Sequence, residues 1–169
     1  MKPLRVELEN FGPYGRHAVD LTAFREEGLF LIHGDTGSGK STLLDAMTYA
    51  LYGKGLGTRD RDDFLRNKNA ASDQPTSAAL TFTLGDRTYR VRRVMEYERA
   101  ARRGGGVTRQ RPEAVLECLA GDPSFETVST PRKCDEAVER LLGLPYEQFT
   151  RLIVLPQGEF RDLLLARAD

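Results

Sequence analysis

One short stretch constrains the fold of this chain more than any other. The sequence Gly34-Asp35-Thr36-Gly37-Ser38-Gly39-Lys40-Ser41 follows the apolar run Leu29-Phe30-Leu31-Ile32 and opens a helical pattern. Its glycines let the backbone turn tightly and approach a polyphosphate, so that successive amides and the positive end of the next helix face the phosphate oxygens. The Gly-x-x-x-x-Gly-Lys-Ser spacing therefore predicts a phosphate-binding loop between a buried strand and a helix.

The chemistry of such a loop assigns roles to single side chains. Lys40 is expected to reach the outer phosphates, and the Ser41 hydroxyl is expected to bind Mg²⁺. A chance glycine-rich turn is the opposing interpretation. We reject it because the pattern lies between an apolar strand and a helix, which is the setting that a phosphate loop requires.

Length and charge narrow the remaining possibilities. The chain has 169 residues, enough for one domain, and its 25 Lys and Arg balance its 25 Asp and Glu. Net charge therefore favours no class of partner. Cys118 and Cys134 lack metal-ligand spacing, the first residues lack a signal-peptide core, and no run approaches about 18 apolar residues. These features predict a soluble, cytoplasmic protein without a membrane partner.

Apolar periodicity predicts both strands and helices. Alternation indicates strands at residues 4–8 and 17–21, a hairpin at residues 80–91 with Gly85-Asp86 as its turn, and strands at residues 114–119 and about 125–128. The all-apolar runs at residues 29–32 and 152–155 are typical of central strands. Helical spacing predicts one helix on Leu43, Leu44, Met47, Ala50 and Leu51, ended by Gly53, and another on Cys134, Ala137, Val138, Leu141 and Leu142, started by Thr130-Pro131 and ended by Gly143.

The intervening segments are less regular. Residues 53–69 predict an irregular loop, and residues 159–169 begin another helical pattern without a closing cap. The segment from Arg87 to Arg111 is rich in arginine and has Gly104-Gly105-Gly106 at its tip. Basic side chains on such a hairpin can contact nucleic-acid phosphates, so Arg102 and Arg103 are candidate DNA contacts. A solvated hairpin surface explains the same residues equally well.

Two parts of a complete nucleotide-hydrolysing site are not recognisable. Phosphoryl transfer needs an acidic residue at the end of an apolar strand to hold Mg²⁺. His33 follows Ile32, and Pro156 follows Leu155, so neither central strand ends in a carboxylate. A second glycine-rich loop of the Leu-Ser-Gly-Gly kind is also missing from the sequence. The chain by itself is therefore expected to bind nucleotide and to hydrolyse it poorly.

Three motifs together resemble a known family. The phosphate loop, the stretch Leu155-Pro156-Gln157-Gly158-Glu159-Phe160 and the opening Leu8-Glu9-Asn10-Phe11-Gly12-Pro13-Tyr14 are similar to the N-terminal half of the ATPase head of SbcC, the exonuclease ATPase family of the SMC-like ABC ATPases. The resemblance implies an α/β fold, with a parallel or mixed core sheet, a P-loop helix and an antiparallel β-subdomain at about residues 78–129. Residues 1–158 would form this lobe, and residues 159–169 would begin a coiled-coil helix.

The resemblance also implies site residues. The phosphate loop would extend to Thr42, with ATP and Mg²⁺ as cofactors. Gln157 matches the Q-loop glutamine, which reaches Mg²⁺ and the attacking water, so Gln157 and Lys40 are the catalytic candidates, and Ser41 and Gln157 the metal ligands. Asp35 stands where proline is common in the family. The nucleotide base would lie near residues 12–16, with Pro13 and Tyr14 as contacts, and near residues 57–63.

By the same resemblance, two heads would close around two ATP molecules, with each ATP between one head's phosphate loop and the other head's signature loop. Hydrolysis would reopen the dimer and control the access of an SbcD-type nuclease to double-stranded DNA ends. The expected partners are thus the C-terminal half of the same head, a second head, the nuclease and DNA, in the nucleoid-associated part of the cytoplasm.

Three alternatives stay open. The first is the head of another SMC-like DNA-repair or chromosome-organising ATPase. The second is a stand-alone P-loop nucleotide kinase, which the antiparallel hairpin and the missing acidic strand end oppose. The third is a DNA-binding module with a vestigial phosphate loop, which the intact Gly39, Lys40 and Ser41 oppose.

Overall fold

The computed structural model describes residues 1–24, 31–60, 62–100 and 106–152. Its strands are β1 Lys2–Phe11, β2 Tyr14–Asp20, β3 Ser77–Leu84, β4 Arg87–Val94, β5 Tyr97–Ala100, β6 Val107–Gln110, β7 Glu113–Ala120 and β8 Val128–Ser129. Its helices are α1 Lys40–Tyr52, α2 Asp62–Leu65, α3 Pro131–Leu142 and α4 Tyr146–Leu152. The strands form a six-stranded sheet in the order β2-β1-β3-β4-β7-β8, and β5 and β6 form a separate pair.

Alternating residues place the core on one face of the large sheet. Val6, Leu80 and Val91 lie opposite one another on β1, β3 and β4 and are fully buried. Helix α1 packs over β1, β3 and β4, and α3 packs over β7 and β8, so the two helices cover this face. The period of two that predicts the strands therefore also fixes which face carries the helix of the phosphate loop.

The predicted hairpin is confirmed. Strands β3 and β4 meet at Gly85-Asp86, where Leu84 pairs with Arg87 and Gly85 has a φ of 59°. A two-residue turn of this kind needs a left-handed backbone, which glycine adopts without strain. Strand β7 covers the predicted strand at residues 114–119, whereas β8 shares only Val128 with the strand predicted at about residues 125–128.

The sheet differs from the expected parallel or mixed core. Every pairing among the described strands is antiparallel, and β1 pairs with both β2 and β3. Among the described residues, the N-terminal strands and the hairpin belong to one sheet, and the division that sets an antiparallel subdomain apart at about residues 78–129 stays a prediction. The physical reason is the alternation in β1, which buries one face only and so suits an antiparallel sheet with a solvated second face.

The two all-apolar runs are not central strands where the structure describes them. Leu31 and Ile32 lie outside the strands, with Leu31 83% exposed, because no described strand offers them backbone partners. Leu152 is the last residue of α4, since the amide of Phe149 bonds the Pro145 carbonyl and starts a helical turn that continues through Leu152. Residues 29–30 and 153–155, the remainder of these runs, lie outside the described residues.

The two predicted helices are confirmed with some changes. Helix α1 ends at Gly53 and α3 at Gly143, and Cys134 is buried in the core as expected. Leu44 is 40% exposed, however, because α1 turns Asp45 and Ala46 inward instead. Thr130 precedes α3 but makes no side-chain capping bond.

The sequence also makes predictions for residues 53–69 and 159–169. Residues 53–69, expected to be irregular, contain the short helix α2, whose last residue, Leu65, is buried. The predicted helix at residues 159–169 lies outside the described residues. In the parts of the chain that the structure describes, no helix is long and apolar enough to cross a bilayer.

Candidate functional site

The predicted phosphate loop leads directly into α1. Gly37 and Gly39 have φ values of 85° and 93°, a left-handed backbone that side chains rarely allow. Asp35, Thr36 and Ser38 are exposed on the loop, whereas Gly39 is buried at its end. A Cβ atom on Gly39 would lie 2.6 Å from Tyr14 Oη, and one on Gly34 would lie 3.1 Å from Ser38 Oγ. The loop thus turns tightly at glycines that leave little room for a side chain at residues 34 and 39, as close approach of a backbone to a phosphate requires.

Lys40 lies across this loop. Its Nζ donates hydrogen bonds to the carbonyl oxygens of Gly34 and Asp35, both at 2.7 Å, and is 3.5 Å from Ser38 Oγ. Asp35 contributes its backbone oxygen to this contact and keeps an exposed side chain. The ammonium group is therefore held at the loop by backbone atoms, where it can exchange these oxygens for those of an anionic ligand.

The first turn of α1 supplies further donors. The first helical hydrogen bond here runs from the Leu43 amide to the Gly39 carbonyl at 3.0 Å, so the preceding amides have no partner within the helix. They lie at the positive end of a 13-residue helix. Ser41 is exposed on this turn. Backbone donors, Lys40 and a hydroxyl thus converge, and this donor set fits a polyphosphate with Mg²⁺, which prefers oxygen ligands.

The turn between β1 and β2 contacts the loop on the side where the base contacts were expected. Tyr14 is half-buried beside Gly39, whereas Pro13 is exposed. The Gly12 amide donates to the Leu65 carbonyl at 2.7 Å, and a Cβ on Gly12 would collide with Thr42 Cγ2. The structure therefore brings Tyr14 and Thr42 to the phosphate loop itself.

Sequence reasoning missed a buried carboxylate on α1. Asp45 is 3% exposed, accepts a hydrogen bond from the Leu56 amide at 3.2 Å and lies 3.3 Å from Arg59 Nε. Burial raises the pKa of Asp45, while the Arg59 guanidinium and the Leu56 amide act in the opposite direction. These contacts hold the loop after α1, near residues 57–63, against the helix. The signal for them was an aspartate on the otherwise apolar face of the helix.

The other end of α1 is tied to α3 and α4. Arg93 is 3% exposed and bonds the carbonyl oxygens of Ala50 and Leu51 and Oδ1 of Asp135, at 2.9, 2.8 and 2.6 Å. The Tyr146 hydroxyl donates to the Gly55 carbonyl at 2.5 Å. Helix α4 leads towards Gln157, which lies outside the described residues, so the second metal-ligand candidate is not positioned.

Most described arginines of the segment from Arg87 to Arg111 have acidic partners. Besides the Arg93 pair, ionic contacts join Arg87 to Asp122 at 3.1 Å, Arg90 to Glu7 at 2.7 Å, Arg92 to Glu9 at 3.9 Å and Arg109 to Glu96 at 3.2 Å. Glu7 and Glu9 come from β1, which local sequence inspection does not reveal. Arg102 and Arg103 lie outside the described residues. The basic character of this segment is consequently smaller in the fold than in the sequence.

Comparisons with known proteins match nearly the whole chain. A family profile described as "AAA domain" matches residues 5–168. The chain is 39% identical over 169 residues, or 99% of its length, to the SbcC subunit of nuclease SbcCD from Vibrio cholerae serotype O1. It is 39% identical over 97% of its length to the SbcC protein of Lactococcus lactis subsp. lactis, and 40% identical over 99% to that of Treponema pallidum.

These relatives are much longer than the chain, which spans 17%, 16% and 16% of their respective lengths. The resemblance to SbcC that the motifs indicate is confirmed by these matches.

Proposed function

The chain belongs to the AAA-domain family, and we propose that it forms the ATP-binding part of the head of an SbcC-like DNA-repair ATPase. The observation that carries this proposal is the phosphate loop, in which Lys40 Nζ bonds the Gly34 and Asp35 carbonyl oxygens beside the N-terminus of α1. A positive side chain, helix amides without partners inside the helix and a backbone that turns at three glycines meet there, as recognition of a polyphosphate requires.

The residues of the chain have separate tasks in this proposal. Loop amides and the α1 N-terminus orient the phosphates, Lys40 binds the outer phosphate oxygens, and the Ser41 hydroxyl holds Mg²⁺. The metal, when bound, neutralises charge on the phosphates. Gln157 positions the attacking water, and Pro13 and Tyr14 belong to the turn near which the base contacts are expected. The acidic strand end and the signature loop are supplied from outside this sequence.

ATP binding would bring two such heads together, and hydrolysis would separate them. The cycle would control DNA binding and the access of an SbcD-type nuclease to DNA ends. The relatives support this part of the proposal, since their name describes a component of the nuclease SbcCD. A stand-alone nucleotide kinase is the competing class, and the antiparallel sheet argues against it.

Nucleotide binding and turnover test the proposal. The chain should bind a fluorescent ATP analogue with Mg²⁺, and Lys40→Ala should lower that affinity by about a hundredfold, or about 2.7 kcal/mol, because the main cation at the phosphates is lost. The exposed Lys133 on α3 provides a matched control, Lys133→Ala.

ATP turnover should require the added C-terminal half of the head. Robust turnover by the chain alone, or phosphate transfer to a nucleoside, would refute the proposal. Equal binding by the Lys40→Ala variant would also refute it.

A further inference from the structure

We propose that Tyr14 is a positioning residue for the phosphate loop and acts by packing against Gly39. This inference rests on the proposed function, because it concerns how the same loop is held in its binding conformation. It differs from the expected role of Tyr14 at the nucleotide base, since the contacts of this side chain lead to the phosphate end of the site.

The main observation is the approach of the Tyr14 phenol to Gly39. A Cβ on Gly39 would lie 2.6 Å from Tyr14 Oη, 2.8 Å from Cζ and 3.0 Å from Cε2. The ring thus fills the space that a side chain would take at this position. Gly39 has a φ of 93° and directly precedes Lys40, so the ring lies against the backbone that sets the direction of the lysine and of α1.

Tyr14 is itself firmly placed. It pairs with Phe11 across the turn, and Phe11 is fully buried and contacts the Tyr49 ring at 5.7 Å between centroids. On β2, the Tyr14 ring stacks on His17 at 5.4 Å with an interplanar angle of 17°. A side chain fixed in this way can restrict its neighbour, because its own rotamer is held by packing.

The same turn makes a second contact beyond Lys40. Gly12 lies so close to Thr42 that a Cβ on Gly12 would collide with Thr42 Cγ2. Its amide is bonded to the Leu65 carbonyl at 2.7 Å. The turn therefore touches the chain immediately before and two residues after Lys40, and it holds both ends of the segment that carries the lysine and Ser41.

A positioning role predicts how affinity depends on the ligand. If the ring only keeps the loop in its binding-competent conformation, removing the ring lowers the fraction of the protein in that conformation. The affinity for every polyphosphate ligand then falls by the same factor. A base contact would weaken ATP and leave inorganic tripolyphosphate unaffected. Comparing ligands with and without a base thus separates the two roles.

The experiment measures the affinities of Mg²⁺-bound ATP, GTP and tripolyphosphate for the chain and its variants. Tyr14→Ala should weaken all three by about tenfold, as when the competent fraction falls to about a tenth. Tyr14→Phe should restore affinity to within about twofold, because the ring is kept. Ala18→Ser, an exposed position on β2, is the matched control. A loss confined to one or both nucleotides, or no loss, would overturn the inference.

Two further measurements keep the outcomes distinct. If the parent chain binds none of the three ligands, or Lys40→Ala binds them equally well, the proposed function fails. If the parent binds them and Lys40→Ala does not, while Tyr14→Ala binds normally, only the positioning role fails. Urea unfolding checks that Tyr14→Ala is folded. If it is not, Tyr14→Leu replaces it, and normal binding of all three ligands by that variant would contradict a requirement for the ring.

Discussion

Asp45 and Arg93 are charged side chains that the fold buries around a single helix. Each is 3% exposed, and each bonds backbone groups as well as an oppositely charged side chain. A buried charge without such partners would cost several kcal/mol, in the range of about 3–5 kcal/mol when one partner is removed. The two residues thus stabilise the surroundings of α1 only while their partners stay in place.

Asp45 gives a pH-dependent prediction. Burial raises its pKa above the ordinary value of 3.8, against the opposing effect of Arg59. The folded chain therefore keeps this proton to a higher pH than the unfolded chain does. The free energy of unfolding of the parent, measured relative to that of Asp45→Asn, should therefore fall as the pH rises from the ordinary pKa of aspartate through the raised pKa of Asp45. Above the raised pKa, the difference between the two proteins should be constant.

Urea unfolding of the parent and of Asp45→Asn at a series of pH values measures this difference. Arg59→Gln serves as a second variant, because removing the guanidinium raises the pKa of Asp45 further and extends the decline to higher pH. A difference between parent and Asp45→Asn that is flat, or that grows with pH, would contradict the assignment.

At the scale of elements, α1 connects the phosphate loop to α3 and α4. Its N-terminus carries Lys40, and the carbonyl oxygens at its other end accept hydrogen bonds from Arg93, which also bonds Asp135 of α3. The aromatic contacts of Tyr52 with Tyr146 and Phe149, at 5.9 and 5.1 Å, attach α4 to the same end. A displacement of α1 would therefore be passed to both helices.

Removing the Arg93 side chain should weaken the attachment of α1 to β4 and α3. Arg93→Ala should lower the free energy of unfolding by about 3 kcal/mol, since it deletes charge-assisted bonds to two helices and opens a cavity. Asp135→Asn should cost only about 1 kcal/mol or less, because asparagine keeps an oxygen that can accept the Arg93 bond and because the Asp135 side chain is 44% exposed.

Urea unfolding measures both effects, with the exposed Arg132→Ala on α3 as the arginine control. A cost for Arg93→Ala no larger than that of the control would show that the buried bonds contribute little.

Elements with local signals were predictable from sequence, and elements that depend on distant partners were not. The hairpin at Gly85-Asp86 and the helix stops at Gly53 and Gly143 follow from turn and capping chemistry within a few residues. The placement of Leu31 and the burial of Asp45 depend on which strands and loops pack beside them. Likewise, the phosphate loop is a prediction from its own residues, whereas the contact of Gly39 with Tyr14 depends on a turn distant in sequence.

At the scale of the whole molecule, charge is arranged by the sheet. The apolar face of the sheet lies beneath α1 and α3, while on the other face Arg90 lies between Glu7 and Glu117, at 2.7 and 3.7 Å. Cross-strand pairs of this kind, each only partly buried, contribute little stability individually. They do reduce the free positive charge that this face offers to a polyanion such as DNA.

A DNA-binding role for the arginine-rich segment can be tested at its two candidate contacts, Arg102 and Arg103. In the full-length ATPase, changing both residues to Glu should weaken DNA binding and reduce the slope of log affinity against log salt by up to about two, one for each lost phosphate contact. Arg132→Glu on α3 is the control outside the segment. Fluorescence anisotropy over a salt series measures the slope, and an unchanged slope would exclude these two contacts.

The pairing of β1 with β3 also bears on the order in which the chain can fold. The Asn10 side chain bonds the Pro75 carbonyl 65 positions later, and Ser77 reaches Glu9 across 68 positions. Contacts between distant segments form late, because a long loop must close before they can stabilise the fold. During synthesis, the phosphate loop and the turn beside it thus leave the ribosome before β3, and β1 lacks its bonds to residues 75 and 77 until that part of the chain has been made.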